Sequence, residues 1–313
     1  MPFRAGQTAN SARSCARSRR KSLNASNNVD EPLPFVSVIM PIRNEADFIA
    51  RSLGAVLAQD YPADRLEVLI ADGMSTDGTR AIIAAMAADH PRIPVTVIDN
   101  PGRIVPTGFN AALARARGDV IVRVDGYCEI APDYVSRCVR HLLEDGVDGV
   151  GGPIETIGTS PLSETIALAM RSPFGVGDSA FRTGTDEAIL VDTIAFPAYT
   201  RAAVQRAGPL DEELVRNQDD EYNYRLRKLG ARLLLAPDVR AKYYSRGSLR
   251  LLWRQYYQYG FYKVRVLQKH PRQMRPRQFV PPAFVTSFLG GALLFPLNKR
   301  LRVLWALVIS AYA

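Results

Sequence analysis

Val120-Ile121-Val122-Arg123-Val124-Asp125 is a short, mostly apolar run that ends on a carboxylate. Such a run reads as a buried strand, and an ionised acid at its end has no place in an apolar core. Two earlier runs end in the same way. Residues 35–40 lead into Pro41-Ile42-Arg43-Asn44-Glu45, and residues 66–71 lead into Asp72. If the three strands are parallel neighbours, their acids gather along one edge of one sheet. In open α/β sheets that edge is where ligands bind.

The segments between the runs have the character of crossover helices. Over residues 45–58 the apolar positions Ile49, Leu53, Val56 and Leu57 recur at three- and four-residue spacing, and Tyr61-Pro62 ends the pattern. The turn-rich Asp72-Gly73-Met74-Ser75-Thr76-Asp77-Gly78 precedes a helix with Ile82, Ile83 and Met86 on one face. A strand over 95–98 runs into Asp99-Asn100-Pro101-Gly102, and a helix over 106–117 leads to the strand ending at Asp125. Pro132 suits the first position of the next helix, and 147–150 begins another strand. Strand and helix alternating four times predict a mostly parallel, Rossmann-like α/β sheet flanked by helices, with right-handed crossovers. Pro41, Asp72, Asn100 and Asp125 then share one sheet edge.

Charge divides the chain. Residues 1–30 carry six Lys/Arg and one acid, 31–238 twenty Lys/Arg and thirty acids, and 239–313 fourteen Lys/Arg and no acid, which sums to the net +9. Residues 1–34 are Ser-, Arg- and Asn-rich, lack an apolar signal core, and read as a disordered basic extension. Residues 35–238 form the acidic globular domain, with a mobile loop expected over 172–184. Residues 239–278 interleave Trp253, Tyr256, Tyr257, Tyr259, Phe261 and Tyr262 with Arg250, Arg254, Lys263 and Arg265. That mixture suits a bilayer headgroup zone or single-stranded nucleic acid.

The next stretch favours the bilayer. Residues 279–297 carry no charge and are flanked by Arg277, Lys299, Arg300 and Arg302. Nineteen helical residues span about 28 Å, close to a hydrocarbon core. Pro281-Pro282 and Gly290-Gly291 shorten the helical part. Residues 303–313 are apolar but too few to cross. Either the two form a shallow hairpin or the chain stops inside a second membrane helix, and the latter is the expectation. A nucleic-acid partner has no use for such an apolar segment. A cell-membrane protein with its catalytic domain in the cytoplasm is therefore expected.

Cys15, Cys128 and Cys138 lack metal-type spacing, and His90, His141 and His270 form no sequence cluster. Zinc and Ser-His-Asp chemistry are unsupported, and Cys128 and Cys138 are expected to be buried and reduced. No Gly-rich phosphate loop is present. An acidic edge still binds a diphosphate when a divalent cation lies between them. Asp125 is the candidate metal ligand, Asp72 and Glu45 candidate acceptors for base or ribose groups, and Arg43 or Arg103 candidate phosphate contacts. The bland alternatives are turn chemistry for Asp72 and a helix cap for Asp125. The remaining acidic run, Asn217-Gln218-Asp219-Asp220-Glu221, opens a helix marked by Tyr222, Leu226 and Leu229. Three acids there exceed what a helix dipole calls for.

Pro41-Ile42-Arg43-Asn44-Glu45, Ala71-Asp72-Gly73-Met74-Ser75-Thr76-Asp77-Gly78-Thr79, and Gly108-Phe109-Asn110 with Ala116-Arg117-Gly118-Asp119 resemble the inverting family 2 glycosyltransferases of GT-A fold. Arg123-Val124-Asp125, Gly151-Gly152-Pro153, Val191-Asp192-Thr193 and the 217–221 run are similar to the bacterial succinoglycan-type exopolysaccharide transferases. The resemblance spans residues 35–270. It implies a nucleotide-sugar donor, a UDP-hexose by family analogy, held by Pro41, Arg43, Asn44, Glu45, Asp72, Arg103, Gly108, Asn110 and Asp125. It implies Mg²⁺ or Mn²⁺ on Asp125, the start of the family's D-x-D motif, and a base at Asp219, with Asp220 as fallback. A lipid-linked glycan acceptor follows, with Gln255 and Tyr259 as candidates to meet it. One departure stands out: the motif reads Asp125-Gly126-Tyr127, so the second acid is missing. Glu129 replaces it only if the strand continues. That departure leaves open an inactive relative that binds nucleotide sugar or scaffolds a polysaccharide complex. Absence of Gln-x-x-Arg-Trp implies one sugar per encounter.

Overall fold

The apolar runs become neighbouring parallel strands. The computed structural model describes residues 32–172, 179–245, 248–273, 276–294 and 299–310. β1 (Val36–Ile42), β2 (Leu66–Asp72), β3 (Val95–Asp99) and β4 (Val120–Arg123) lie in the order β3-β2-β1-β4, all parallel. Helices α1 (Ile49–Leu57), α2 (Thr79–Asp89) and α3 (Val105–Leu113) connect them. The register is level: Ile42 lies opposite Asp72, Asp72 opposite Asp99, and Ile39 opposite Arg123. Asp72 and Asp125 therefore emerge at one edge, as the alternation predicts.

Beyond β4 the chain follows β5 (Cys128–Ile130), α4 (Tyr134–Glu144), β6 (Gly149–Gly151), β7 (Ile154–Ile157), α5 (Pro161–Ala169) and α6 (Ala180–Thr183). There follow β8 (Ile189–Leu190), β9 (Ala198–Thr200), α7 (Arg201–Ala207), α8 (Gln218–Lys228), β10 (Leu233–Leu235), β11 (Ala241–Tyr244) and α9 (Leu249–Lys269). The large sheet continues as β4-β9-β6-β10-β8. β9 enters antiparallel to both β4 and β6, and β8 runs antiparallel to β10, so the sheet is mixed. No apolar periodicity marks Ile194-Ala195-Phe196-Pro197-Ala198-Tyr199, which is why this inserted strand is not visible in the sequence. A second, three-stranded sheet, β5-β11-β7, takes the chain just past Asp125.

Side-chain alternation along the strands supplies two cores. Val36, Val38, Met40, Leu66, Val68, Ile70, Val120 and Val122 face α1, α2 and α4 through Ile49, Leu53, Val56, Ile83, Tyr134 and Cys138. Ile39, Leu69, Ala71 and Ile121 face α3, α7 and α8 through Phe109, Ala112, Val204, Tyr222 and Leu226. Burial on both faces explains why these strands read as continuous apolar runs. Cys128 and Cys138 are buried free thiols, as expected, and their burial raises both thiol pKa values.

Three helix boundaries differ from the sequence expectation. The helix expected over 45–58 begins at Ile49, because the turn before it is tied elsewhere. Asn44 N–H donates to Ser75 Oγ at 2.8 Å, Glu45 N–H to Thr79 Oγ1 at 2.9 Å and Ala46 N–H to Asp77 Oδ2 at 3.1 Å. α3 stops at Leu113 rather than Arg117, whose N–H is drawn to Glu67 Oε1 at 2.8 Å. α4 starts at Tyr134 rather than Pro132, since the Pro132 carbonyl accepts from Asp60 N–H. Gly151 and Gly152 permit a close approach: a Cβ on Gly152 would collide with the Val239 backbone carbonyl.

At the C-terminal side, α10 (Val280–Leu294) has 15 residues and α11 (Lys299–Ser310) has 12. Pro281 and Pro282 fall in the first turn of α10, where a proline is tolerated. The two helices pack together, with Trp305 Nε1 donating to the Phe288 carbonyl at 2.9 Å. Among the described residues, no helix is long and apolar enough to cross a membrane. The basic extension at 1–31 and the centre of the expected mobile loop, 173–178, lie outside the described residues.

Asp238 joins α4 to the segment before β11. His141 Nε2 lies 2.8 Å from its carboxylate, and Arg137 Nη1 and Arg140 Nη2 donate to it, the former at 3.1 Å. Burial alone would raise the pKa of Asp238. The hydrogen bonds from His141 and Arg137 outweigh that effect and draw it from 3.8 down to about 2. A depressed carboxylate stabilises the fold above its unfolded pKa and loses that contribution as pH falls through the folded value. Thermal midpoints of the wild type should therefore decline between pH 3.8 and about 2, and Asp238→Asn should start lower and decline less over that window.

Candidate active site

The chemistry at the sheet edge begins with Arg123, the last residue of β4. Arg123 and Asp125 are two apart along extended chain and so face the same side. Arg123 Nε donates to Asp125 Oδ1 at 2.9 Å and Nη2 to Oδ2 at 3.2 Å, a two-pronged pair. Tyr127 Oη adds a third donor to Oδ2 at 3.0 Å. The side chains of Arg123 and Asp125 are 9% and 8% exposed, so the pair is sheltered from solvent. Burial works against the guanidinium charge, but Asp125 and then Asp219 more than offset it and hold the arginine pKa above its ordinary value. Burial, reinforced by Asp125, keeps the Tyr127 phenol protonated far above its usual range.

Two loops close over the neighbouring strand ends. Pro41 is buried within β1, while Arg43 and Asn44 stand exposed just after it. Asn44 adopts a left-handed φ of 53°, and its Oδ1 accepts from Thr76 N–H at 2.9 Å. Glu45 lies against Gly126: a Cβ at Gly126 would sit 2.8 Å from Glu45 Cγ, so only glycine lets the acid reach the residue beside Asp125. Asp72 is fully buried. It accepts from Ser75 N–H at 3.0 Å, from Ser75 Oγ, and from Arg80 Nε, whose guanidinium also meets Asp99 at 2.6 Å. Asp72 thus combines the turn chemistry and the edge position that the sequence leaves as alternatives.

α8 brings the acidic run to this edge, and its two aspartates have different surroundings. Asp219 is exposed and lies near Arg123, Tyr199 and Tyr259; its Oδ1 accepts the Asp220 N–H at 2.9 Å. Asp220 is tied down. Lys263 Nζ donates to its Oδ2, and Gln273 Nε2 reaches the same oxygen at 2.9 Å. Burial raises the Asp220 pKa, against the pull of Lys263, and Asp219 and Asp192 push it further up. α8 is itself clamped. Asn223 Nδ2 donates to Thr193 Oγ1 at 2.9 Å while its Oδ1 accepts from Tyr199 Oη at 2.6 Å, which brings the Val191-Asp192-Thr193 stretch alongside.

α9 completes the clamp. Asn217 Nδ2 donates to the Tyr259 carbonyl at 2.9 Å, and His270 Nε2 lies 3.0 Å from the buried Glu221, which Arg225 also grips. Gln255 Nε2 donates to Tyr259 Oη at 2.7 Å. Burial raises the Tyr259 pKa, and the Gln255 hydrogen bond opposes that rise. Tyr243 packs edge-on against Tyr127, with ring centroids 5.4 Å apart, and the Arg182 guanidinium lies 6.0 Å above the Tyr243 ring. Arg182 Nη1 is buried with no hydrogen-bond partner among the described residues.

Of three further expected donor-binding residues, Gly108 and Asn110 also have structural partners. Gly108 lets α3 approach β2, since a Cβ there would sit 2.7 Å from Asn100 Nδ2. Asn110 spends its amide on Leu210, at 2.9 and 2.8 Å, and on Glu212, at 2.9 Å. Arg103 is exposed in a left-handed turn, φ 59°, closed by its N–H to the Asn100 carbonyl. Conversely, Arg123, Tyr127, Arg182, Lys263 and Gln273 contribute to the site without having been expected there. For Arg123 the signal was present: a cation inside an apolar strand, two residues before an acid, shares its face.

A divalent ion bound through carboxylates needs several oxygen ligands. Asp125 has both oxygens engaged by Arg123 and Tyr127. Glu129, the alternative second acid, leaves with β5 for the other sheet and pairs there with Lys242 at 3.3 Å and Tyr244 Oη at 2.6 Å. Among the described residues, no three His, Cys, Asp or Glu side chains gather to hold an ion. Asp125 is thus a single carboxylate already neutralised by Arg123, a poor donor set for a divalent cation.

A parallel sheet edge with an acidic strand end, two polar loops and a nearby helix-borne aspartate is the arrangement of a GT-A-like α/β fold. Residues 37–207 match the profile described as "Glycosyl transferase family 2". The chain is 33% identical over 287 residues to "Succinoglycan biosynthesis protein ExoA" of Rhizobium meliloti, covering 88% of this chain and 83% of that protein. It is 27% identical over 241 residues to the "Dolichyl N-acetyl-alpha-D-glucosaminyl phosphate 3-beta-D-2,3-diacetamido-2,3-dideoxy-beta-D-glucuronosyltransferase" of Methanococcus voltae, covering 75% and 74%. Its fold is similar to that of the mannosyltransferase PcManGT of Pyrobaculum calidifontis, solved with GDP-Man and Mn²⁺. There the TM-score is 0.58, the identity 20%, and the coverage 95% of this chain and 91% of that one. The chain belongs to glycosyltransferase family 2.

Removing one member of the sheltered Arg123–Asp125 pair strands the other. Arg123→Met should cost about 3–5 kcal/mol in a urea unfolding titration, and Arg123→Met/Asp125→Leu should recover most of that loss. Equal stability of the single and double variants would show that the pair is not coupled.

Proposed function

We propose that this chain is an inverting transferase that moves a hexose from a nucleoside-diphosphate donor, UDP-linked by family analogy, to a lipid-linked or polysaccharide acceptor. The work belongs to cell-surface glycan synthesis, at the cytoplasmic face of the membrane. The observation that carries the chemistry is the contrast between the two helix aspartates: Asp219 is open beside the Arg123–Asp125 pair, whereas Lys263 and Gln273 hold Asp220. Asp219 is the base. It takes the proton of the acceptor hydroxyl as that oxygen attacks the anomeric carbon. The bond from that carbon to the β-phosphate oxygen breaks, its electron pair leaves on the nucleoside diphosphate, and the configuration inverts. Arg43, Asn44, Glu45 and Asp72 form the nucleoside side of the pocket, and Gln255 and Tyr259 the acceptor side. Among the described residues no three possible ligands gather about the metal expected on Asp125, and no step depends on it.

The name of the R. meliloti relative supports polysaccharide synthesis, and that of the M. voltae relative a lipid-phosphate acceptor. Membrane contact is supported by α9. Leu249, Trp253, Tyr257, Phe261 and Val264 recur at three- and four-residue spacing on its exposed side, Trp253 at 77% exposure. Arg250, Arg254 and Arg265 accompany them, a pattern suited to the headgroup boundary. Val285, Leu289, Val303 and Leu307 are likewise exposed on α10 and α11.

Nucleotide release from a panel of UDP- and GDP-sugars identifies the donor. With that donor, Asp219→Asn should lower transfer by about 10²- to 10⁴-fold while nucleotide binding persists. Asp220→Asn should act mainly through lost stability. Full activity in Asp219→Asn would remove the base, and saturable binding without release from any donor would favour the inactive relative that Tyr127 suggests. Cosedimentation should show binding to vesicles containing anionic lipid, weakened by salt and by Arg250→Glu/Arg254→Glu; equal recovery with neutral vesicles counts against an electrostatic membrane contact.

A further inference from the structure

Taking the glycosyltransferase reading as its basis, we infer that Arg123, assisted by Arg182, stabilises the leaving diphosphate, so that transfer proceeds without a bound divalent metal. The first support is occupancy. Asp125 has no oxygen left without a donor: Arg123 takes both, and Tyr127 takes Oδ2 a second time. Where the motif would place a second acid there is a phenol, which donates rather than ligates. A cation on Asp125 would have to share that carboxylate with a guanidinium whose side chain is only 9% exposed, against the repulsion of its charge.

The second support is direction. A guanidinium has five N–H donors in a planar fork. Asp125 uses Nε and one donor of Nη2; the remaining donors of Arg123 have no hydrogen-bond acceptor among the described residues. Asp219 lies near enough to support the Arg123 charge. A donor whose anomeric carbon sits before Asp219 therefore brings its diphosphate to the same guanidinium. Arginine matches phosphate oxygens in a fixed, two-pronged geometry.

The third support is a second cation without a carboxylate. The Arg123–Asp125 pair is neutral overall, so a diphosphate calls for additional positive charge. Arg182 makes no ion pair among the described residues, its Nη1 is buried without a partner, and it leans on Tyr243, which packs against Tyr127. An unpaired, buried guanidinium donor beside this aromatic wall is costly unless an anion meets it. When the glycosidic carbon–oxygen bond breaks, the electron pair remains on the β-phosphate oxygen, and Arg123 and Arg182 donate hydrogen bonds to the charge that develops. The acceptor proton goes to Asp219, so no further co-reactant is needed.

The experiment uses the full chain and two probes, UDP and GDP, by calorimetry, alongside donor turnover, each in EDTA and in Mn²⁺. The expected result is that affinity for the preferred nucleotide and turnover are the same in EDTA as in Mn²⁺. Arg182→Gln should weaken nucleotide affinity about tenfold, the loss of one charge-assisted contact, equally in both buffers. Arg123→Lys, which keeps the charge but not the fork, should lower turnover while circular dichroism shows a folded chain. Nucleotide binding and turnover that vanish in EDTA and return with Mn²⁺ overturn the inference and leave the glycosyltransferase reading intact. An Arg182→Gln variant with wild-type affinity removes Arg182 from it. Absence of nucleotide binding in both buffers sinks the donor pocket itself, and the inference falls with it.

Discussion

Parallel pairing is the constraint from which the site follows. Two parallel strands cannot be joined by a tight turn; the chain must cross back over the sheet, commonly as a helix, before it starts again. Four strands built in this way finish at the same end. Their level register, with Ile42 beside Asp72 and Asp72 beside Asp99, turns residues far apart in sequence into a single row. β1, β2 and β4 are buried on both faces, so their interior offers no position for unpaired charge, and polar chemistry concentrates where they stop.

This division explains what the sequence made legible. The strands β1 to β4, and the positions of Asp72, Asp125 and the 219–221 run as edge or helix-start acids, were visible from apolar runs and the acids that end them. The helix starts were less so, because Asn44, Glu45 and Ala46 N–H groups are capped by Ser75, Thr79 and Asp77, partners some thirty residues on in the chain. β9 was hidden because a three-residue strand between two others carries no period of its own. Gly108 and Asn110 belong to a recognisable motif, but the structure uses them to seat α3 against β2 and against Leu210. Pairings between distant residues, such as Lys263 with Asp220, leave no local trace at all.

Electrostatics then separates residues that look equivalent. Asp219 and Asp220 are neighbours of the same type on the same helical turn. One faces open space beside a guanidinium; the other is covered by α9 and held by a lysine. A hundred-degree step along the helix decides which is available to an incoming hydroxyl. The same logic applies to Arg123. In the strand interior a cation is anomalous, but placed two residues from Asp125 it becomes half of a fixed dipole whose outer edge still has donors to offer.

The helix that covers Asp220 has two faces with different neighbours. Its inner face grips α8 through Lys263 and Tyr259, joined by His270 just past its end; its outer face shows Trp253, Tyr257 and Phe261 to the surroundings. With 21 residues, it is a stiff rod about 31 Å long. Whatever surface receives the aromatic face also fixes the height and tilt of Asp219 above that surface. A contact on the outer face therefore bears on the same stiff helix whose inner face holds Asp220 in place.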